Sequence, residues 1–151
     1  MKDRADFSGL LANLKQAFRP YGFILSATVP GDMAKIARAY DVPSISRSVD
    51  FLNVLAFDYP AEGPHTAYTS PLYAASRSKH DQENNAAATV DYLVRSGAPA
   101  AKLVLGIPLY GKAFKLAGVD SQVGAKAVSV NDAPTYKQVG QKVKVLFVKC
   151  V

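Results

Sequence analysis

The sequence predicts an α/β fold with parallel strands, and three observations carry that prediction. Amphipathic helical stretches alternate with short strand-like runs in the order αβ-αβ-αβ. The runs are continuously apolar rather than alternating, the pattern of parallel strands covered on both faces. Two of them end on polar groups just where a loop begins: Val49-Asp50-Phe51-Leu52-Asn53-Val54-Leu55-Ala56-Phe57-Asp58-Tyr59, and KLVLGIPLYGKAF from Lys102 to Phe114. In parallel α/β folds, ligands are met at the C-terminal ends of strands.

Each element has its own signal. Phe7, Leu10, Leu11, Leu14 and Phe18 fall at helical spacing, with Asp6 as the expected cap and Pro20 and Gly22 as the stop. A strand follows at 23–29, closed by Pro30-Gly31. Met33, Ile36, Ala37 and Tyr40 mark a short helix from about Asp32, interrupted by Pro43, and a turn around Ser44 to Ser48 leads to the strand at 49–57. The stretch from Tyr59 to Lys79, with Pro60, Gly63, Pro64 and Pro71, reads as a long surface loop, and such loops are usually functional. A third helix is expected from about Gln82 to Ser96. Its buried stripe is Ala86, Val90, Leu93 and Val94, with Asp81 and Glu83 at its positive end and Gly97 at its C′ position. The third strand is 102–107. Beyond Leu116 the pattern weakens, with an edge strand expected at 143–151.

One core is what 151 residues allow, and 49% hydrophobic with 20% charged residues is ordinary for a globular chain. The net charge of +6 is spread out; Lys137, Lys142, Lys144 and Lys149 form a loose cationic tail without interleaved aromatics. A solvated basic surface is therefore expected, not a nucleic-acid partner. No apolar run approaches the roughly 20 residues that span a bilayer, so no membrane partner is expected. Met1 is followed by Lys2-Asp3-Arg4, so no secretory leader is expected at this end. Cys150 is the only cysteine, which rules out an internal disulfide. No cofactor fingerprint occurs. His65 and His80 lack further ligands at metal spacing, and both are expected to be exposed. Ser26 and Ser70 have no His/Asp arrangement that would support a serine hydrolase.

Several segments, in order, resemble glycoside hydrolase family 18, the chitinases and chitinase-like proteins. KDRADFSGLLANLKQAFRPYGFILSATVPG looks like the helix and strand at the fifth position of that family's (β/α)8 barrel. AYDVPSISRSVDFLNVLAFDYP looks like the sixth unit, TSPLYA like its loop, and AAATVDYLVRSGAPAAKLVLGIPLYGKAFKL like the helix and strand at position seven. The glycine-rich segment that follows resembles the start of a small α+β insertion. The resemblance implies an α/β partial (β/α)8 TIM barrel, with parallel strands and flanking helices over 1–116 and the beginning of the insertion or an irregular tail over 117–151. A complete barrel needs about 250 residues.

The family hydrolyses β-1,4-linked N-acetylglucosamine polymers, the substrate's own N-acetyl oxygen acting as nucleophile. That makes it an exception to the two-carboxylate scheme. Its general acid ends a DxxDxDxE-type motif on strand four, which this sequence does not contain. No catalytic residue is therefore expected in this chain. The Met-x-Tyr-Asp pattern of strand six becomes Leu55-Ala56-Phe57-Asp58, and Tyr-Gly-Arg on strand seven becomes Tyr110-Gly111-Lys112. The family's tyrosine hydroxyl holds the acetamido group. Phe57 has no such donor, and losing one preorganised hydrogen bond costs on the order of 10²-fold in rate. Lys112 keeps the charge of arginine but not its fork. By resemblance Phe57, Asp58, Tyr110 and Lys112 are the substrate-contact candidates.

Each candidate also has a plainer reading: Phe57 as a core aromatic, Asp58 as a turn or cap residue, Tyr110 as a packed interior ring, Lys112 as a solvated charge. Tyr59, Tyr68 and Tyr73 could stack on sugar rings or pack the loop. Three functions stay open: a chitinase-like protein that binds chitin or chito-oligosaccharide without cleaving it, part of an active chitinase completed by an upstream half, or an interaction module that self-associates through open barrel edges. Phenylalanine in this motif is similar to the non-catalytic growth-factor-like branch of the family in insects. The resemblance also implies an extracellular location.

Overall fold

The computed structural model of the chain describes residues 2–131. The expected edge strand at 143–151 and the cationic tail lie outside them. The order is α1 (Lys2–Phe18), β1 (Ser26–Pro30), α2 (Met33–Ala39), α3 (Val42–Ser48), β2 (Phe51–Leu55), α4 (Lys79–Glu83), α5 (Ala86–Arg95), β3 (Leu103–Leu105), β4 (Ala113–Leu116) and β5 (Ala127–Asn131). The first three strands form one parallel sheet in the order β1-β2-β3, with Ser26 opposite Phe51 and Leu52 opposite Leu103. The fold is thus the expected α/β arrangement of parallel strands with flanking helices.

Several expectations need correcting in detail. Asp6 lies inside α1, which runs from Lys2. The turn at 44–48 is the helix α3, because Asp41 caps it through Ser44 N–H and Pro43 falls in its first turn, where no amide donor is needed. The third helix is two. Asn84 ends the short α4 and Asn85 caps α5, accepting from Ala88 N–H at 2.8 Å while donating to the Asp81 carbonyl. Asp81 and Glu83 therefore belong to α4 and not to the start of α5. Gly97 does follow α5, with φ +102°.

The strands are not covered on both faces. Ala27, Val29, Leu52 and Val54 point into a core closed by Leu11, Ile36, Ile45 and Leu93. Their neighbours point the other way, as strand geometry requires. Phe51 is 42% and Val104 45% exposed on that open face. Three strands and their helices make one cover; the apolar runs are suited to a second that the described residues do not supply.

At the other end of the chain β4 and β5 pair antiparallel, with a register shift between Lys115 and Leu116. The sequence pattern did not announce this hairpin, and it straddles residue 116, where the barrel unit was expected to give way to the insertion. Its connecting segment is tied to the long loop: Thr66 Oγ1 donates to the Gln122 carbonyl at 2.7 Å and Ala127 N–H to the Pro64 carbonyl at 2.8 Å.

Candidate functional site

The C-terminal end of β2 turns sharply. After the buried Ala56, Phe57 lies half-buried and Asp58 adopts φ +58°; of the described non-glycine residues, only Asp58 has positive φ. Aspartate tolerates the left-handed region better than most residues, but the conformation still costs roughly 1–2 kcal/mol for an L-residue. That turn aims the carboxylate at the segment leaving β3.

Two side chains of that segment meet it. Tyr110 donates its hydroxyl to Asp58 Oδ2 at 2.5 Å, and Lys112 Nζ lies 2.9 Å from Asp58 Oδ1. Phe57 stands edge-on to the Tyr110 ring, centroids 6.2 Å apart and planes at 88°. Gly106 makes the approach possible, since a Cβ there would sit 3.1 Å from the Phe57 ring and 3.1 Å from the Val54 carbonyl oxygen. All four residues singled out in the sequence therefore form one cluster. Asp58 is a turn residue as well as a cluster member, and Lys112 is paired, not merely solvated.

The charges follow from these contacts. Partial burial works to raise the Asp58 pKa, but the hydrogen bonds from Lys112 and Tyr110 outweigh it and hold the carboxyl below the ordinary value. The same hydrogen bond to Asp58, helped by desolvation, pushes the Tyr110 phenol up to about 12. Near neutral pH the cluster is a carboxylate with one donor on each oxygen. A carboxylate has about four acceptor positions, so two of them stay available to hydroxyl or amide donors of a ligand.

The long loop beyond Asp58 does something different. Tyr59 is 3% exposed and packs inward, which leaves it no face for a sugar ring. Tyr73 is exposed, and Tyr68 lines an open cavity of about 680 Å³ between the loop, α4 and the β4–β5 connection, with Glu62, His80 and Asp81. None of the four cluster residues lines that cavity. His65 is exposed as expected, but His80 is half-buried, its Nε2 donating to the Pro60 carbonyl at 2.9 Å. Among the described residues no group of three or more His, Cys, Asp or Glu is placed to hold a metal ion. Nor is any described helix long and apolar enough to cross a membrane.

One buried pair escaped the sequence reading. Thr89 and Tyr59 share a hydrogen bond of 2.8 Å beneath the Asp58 turn. Of the four residues assigned to the α5 stripe, Val94 is exposed, and the fully buried Thr89 takes a place on that face between Ala86 and Leu93. A hydroxyl three residues after one apolar position and four before another was the available signal.

Parallel β/α units with a carboxylate at a strand exit define an α/β protein of the parallel-sheet class, with its candidate site at the C-terminal end of the sheet. The comparisons name the class more closely. Glycosyl hydrolases family 18 matches residues 1–145, and the chain belongs to that family. Mouse (Mus musculus) chitotriosidase-1 is 36% identical over 135 residues, a match spanning 83% of this chain and 29% of the relative. Among solved structures, catalytic domain 2 of the Ostrinia furnacalis group II chitinase superposes with a TM-score of 0.76 at 32% identity, over 82% of this chain and 33% of that one. Human YKL-39, a pseudo-chitinase with retained chitooligosaccharide binding, gives 0.85 at 27% identity over 93% of this chain and 44% of that one. The chain thus spans less than a third of the curated relative's length.

Proposed function

We propose that the chain provides one wall of a groove that binds chito-oligosaccharide, and that it does not hydrolyse the sugar by itself. The observation that carries this reading is the Asp58 carboxylate, held at the exit of β2 by Tyr110 and Lys112 with acceptor capacity to spare. The fold's ligand end is where such a group is useful. Phe57 offers the acetamido group a ring edge but no hydroxyl, and no DxxDxDxE motif occurs in the sequence to supply a proton. Binding without turnover is what human YKL-39 does, and an extracellular setting accompanies the reading.

Titration calorimetry with an N-acetylglucosamine tetramer tests it. Heat of binding that Asp58→Ala abolishes supports the groove; retention of the chain on chitin at moderate salt separates sugar contact from charge attraction. A fluorogenic chito-oligosaccharide should give no turnover above background. Turnover by this chain that Asp58→Ala removes would overturn the non-catalytic half of the proposal.

The identity to mouse chitotriosidase-1 favours a second reading, in which a segment carrying the general acid completes an active chitinase. Turnover that arises only when such a segment is supplied would select it.

A further inference from the structure

We propose that Thr89 and Tyr59 are positioning residues for Asp58, the buried hydroxyl pair fixing the turn that points the carboxylate at Tyr110 and Lys112. The role rests on the reading of Asp58 as a sugar contact, but its geometry can be tested apart from any sugar.

The pair has a definite direction. Thr89 Oγ1 donates to the Gly31 carbonyl at 2.7 Å, and a threonine hydroxyl has one proton. The 2.8 Å contact must then be donated by the Tyr59 hydroxyl to Thr89 Oγ1. The chain of hydroxyls runs from the residue after Asp58, through α5, to the end of β1.

Tyr59 is pinned twice. Its hydroxyl is held as described, and its N–H donates to the Thr69 carbonyl at 3.0 Å. Asp58 sits between this anchor and the buried Ala56, and its left-handed φ persists only where its surroundings impose it. Gly31 shows how closely the parts are fitted: a Cβ there would lie 2.8 Å from the Leu55 carbonyl oxygen and 3.0 Å from the Tyr59 hydroxyl. Thr89 is fully buried and Tyr59 is 3% exposed, so removing either hydroxyl leaves a buried polar group short of a partner.

Three variants of the full chain decide the matter: Thr89→Val, Tyr59→Phe and Thr89→Ser. The Asp58 carboxyl is followed by carbon NMR during acid titration, and tetramer affinity by calorimetry. In Thr89→Val and Tyr59→Phe the Asp58 pKa should climb toward the ordinary aspartate range, and affinity should fall about three- to tenfold. Thr89→Ser keeps the hydroxyl and should restore both. An unchanged Asp58 titration in Thr89→Val and Tyr59→Phe, whatever their melting temperatures, overturns the proposal, as does an equal shift in Thr89→Ser. Should Thr89→Val not fold, Tyr59→Phe, which loses a single oxygen, decides alone. If the unmodified chain binds no tetramer, the sugar reading fails and the titration still decides the positioning.

Discussion

Two aspartates bracket β2, and each is paired with a lysine, yet they hold different offices. Asp50, just before the strand, takes Lys15 Nζ on both oxygens at 2.6 and 2.7 Å and the Leu25 N–H at 2.8 Å. These contacts join α1, the start of β1 and the start of β2. Asp58, just after the strand, takes only side chains, both from the segment leaving β3, and stands in a strained turn with its side chain 40% exposed, close to the 34% of Asp50. The first is consumed by the framework. The second is presented by it. Barrel proteins divide stability and chemistry between the two ends of their strands, and on the proposed function the two aspartates would sit on either side of that division.

Removing each charge while keeping each shape separates the two aspartates most directly. Asp58→Asn preserves a residue that tolerates positive φ but loses the ion pair; tetramer affinity should fall about tenfold or more, since hydrogen bonds to charged groups carry about 1.5–3 kcal/mol. Its melting temperature should fall less than that of Asp50→Asn. Asp50→Asn should do the reverse: a lower melting temperature in differential scanning calorimetry, with affinity held within about twofold. Equal effects of the two variants on both measurements would mean that the two aspartates serve the same role.

A subtler probe is Lys112→Arg. Arginine can engage Asp58 with two parallel donors, so the Asp58 titration should stay low or move lower, whereas Lys112→Met should raise it. Acid sharpens the contrast last. Contacts with Lys15 and the Leu25 amide hold Asp50 below its ordinary value, and Asp58 is likewise depressed. A depressed carboxylate contributes stability that is complete above the unfolded value of about 3.9 and disappears as pH falls through the folded one. Melting temperature should therefore drop below about pH 4, and Asp50→Asn should flatten that drop more than Asp58→Asn.

The sequence made the helices and the parallel strands legible because periodicity and turn residues are local signals: a helix starting near Asp32, Pro30-Gly31 as a strand end and Gly97 as a helix stop are all where those residues place them. The four-residue cluster was legible only through resemblance. Nothing in the spacing of Asp58 and Tyr110 says that residues 52 apart will share a hydrogen bond. The break between α4 and α5 was hidden because Asn84-Asn85 interrupts an otherwise regular helical pattern without a proline or glycine. Thr89 was missed for a related reason: a polar residue inside an apolar stripe was passed over in favour of Val90 and Val94. The β4–β5 hairpin was obscured by a connection rich in small residues.

The sheet described above ends at β1 on one side and β3 on the other, and its three strands run the same way. Such a ribbon has polarity, like an arrow, so its two borders are not equivalent. A neighbouring polypeptide that extends the parallel ladder must offer a strand of matching direction, whereas a dyad-related twin laid border to like border would pair antiparallel. Whatever shelters those margins is thereby constrained in orientation before any side chain is consulted.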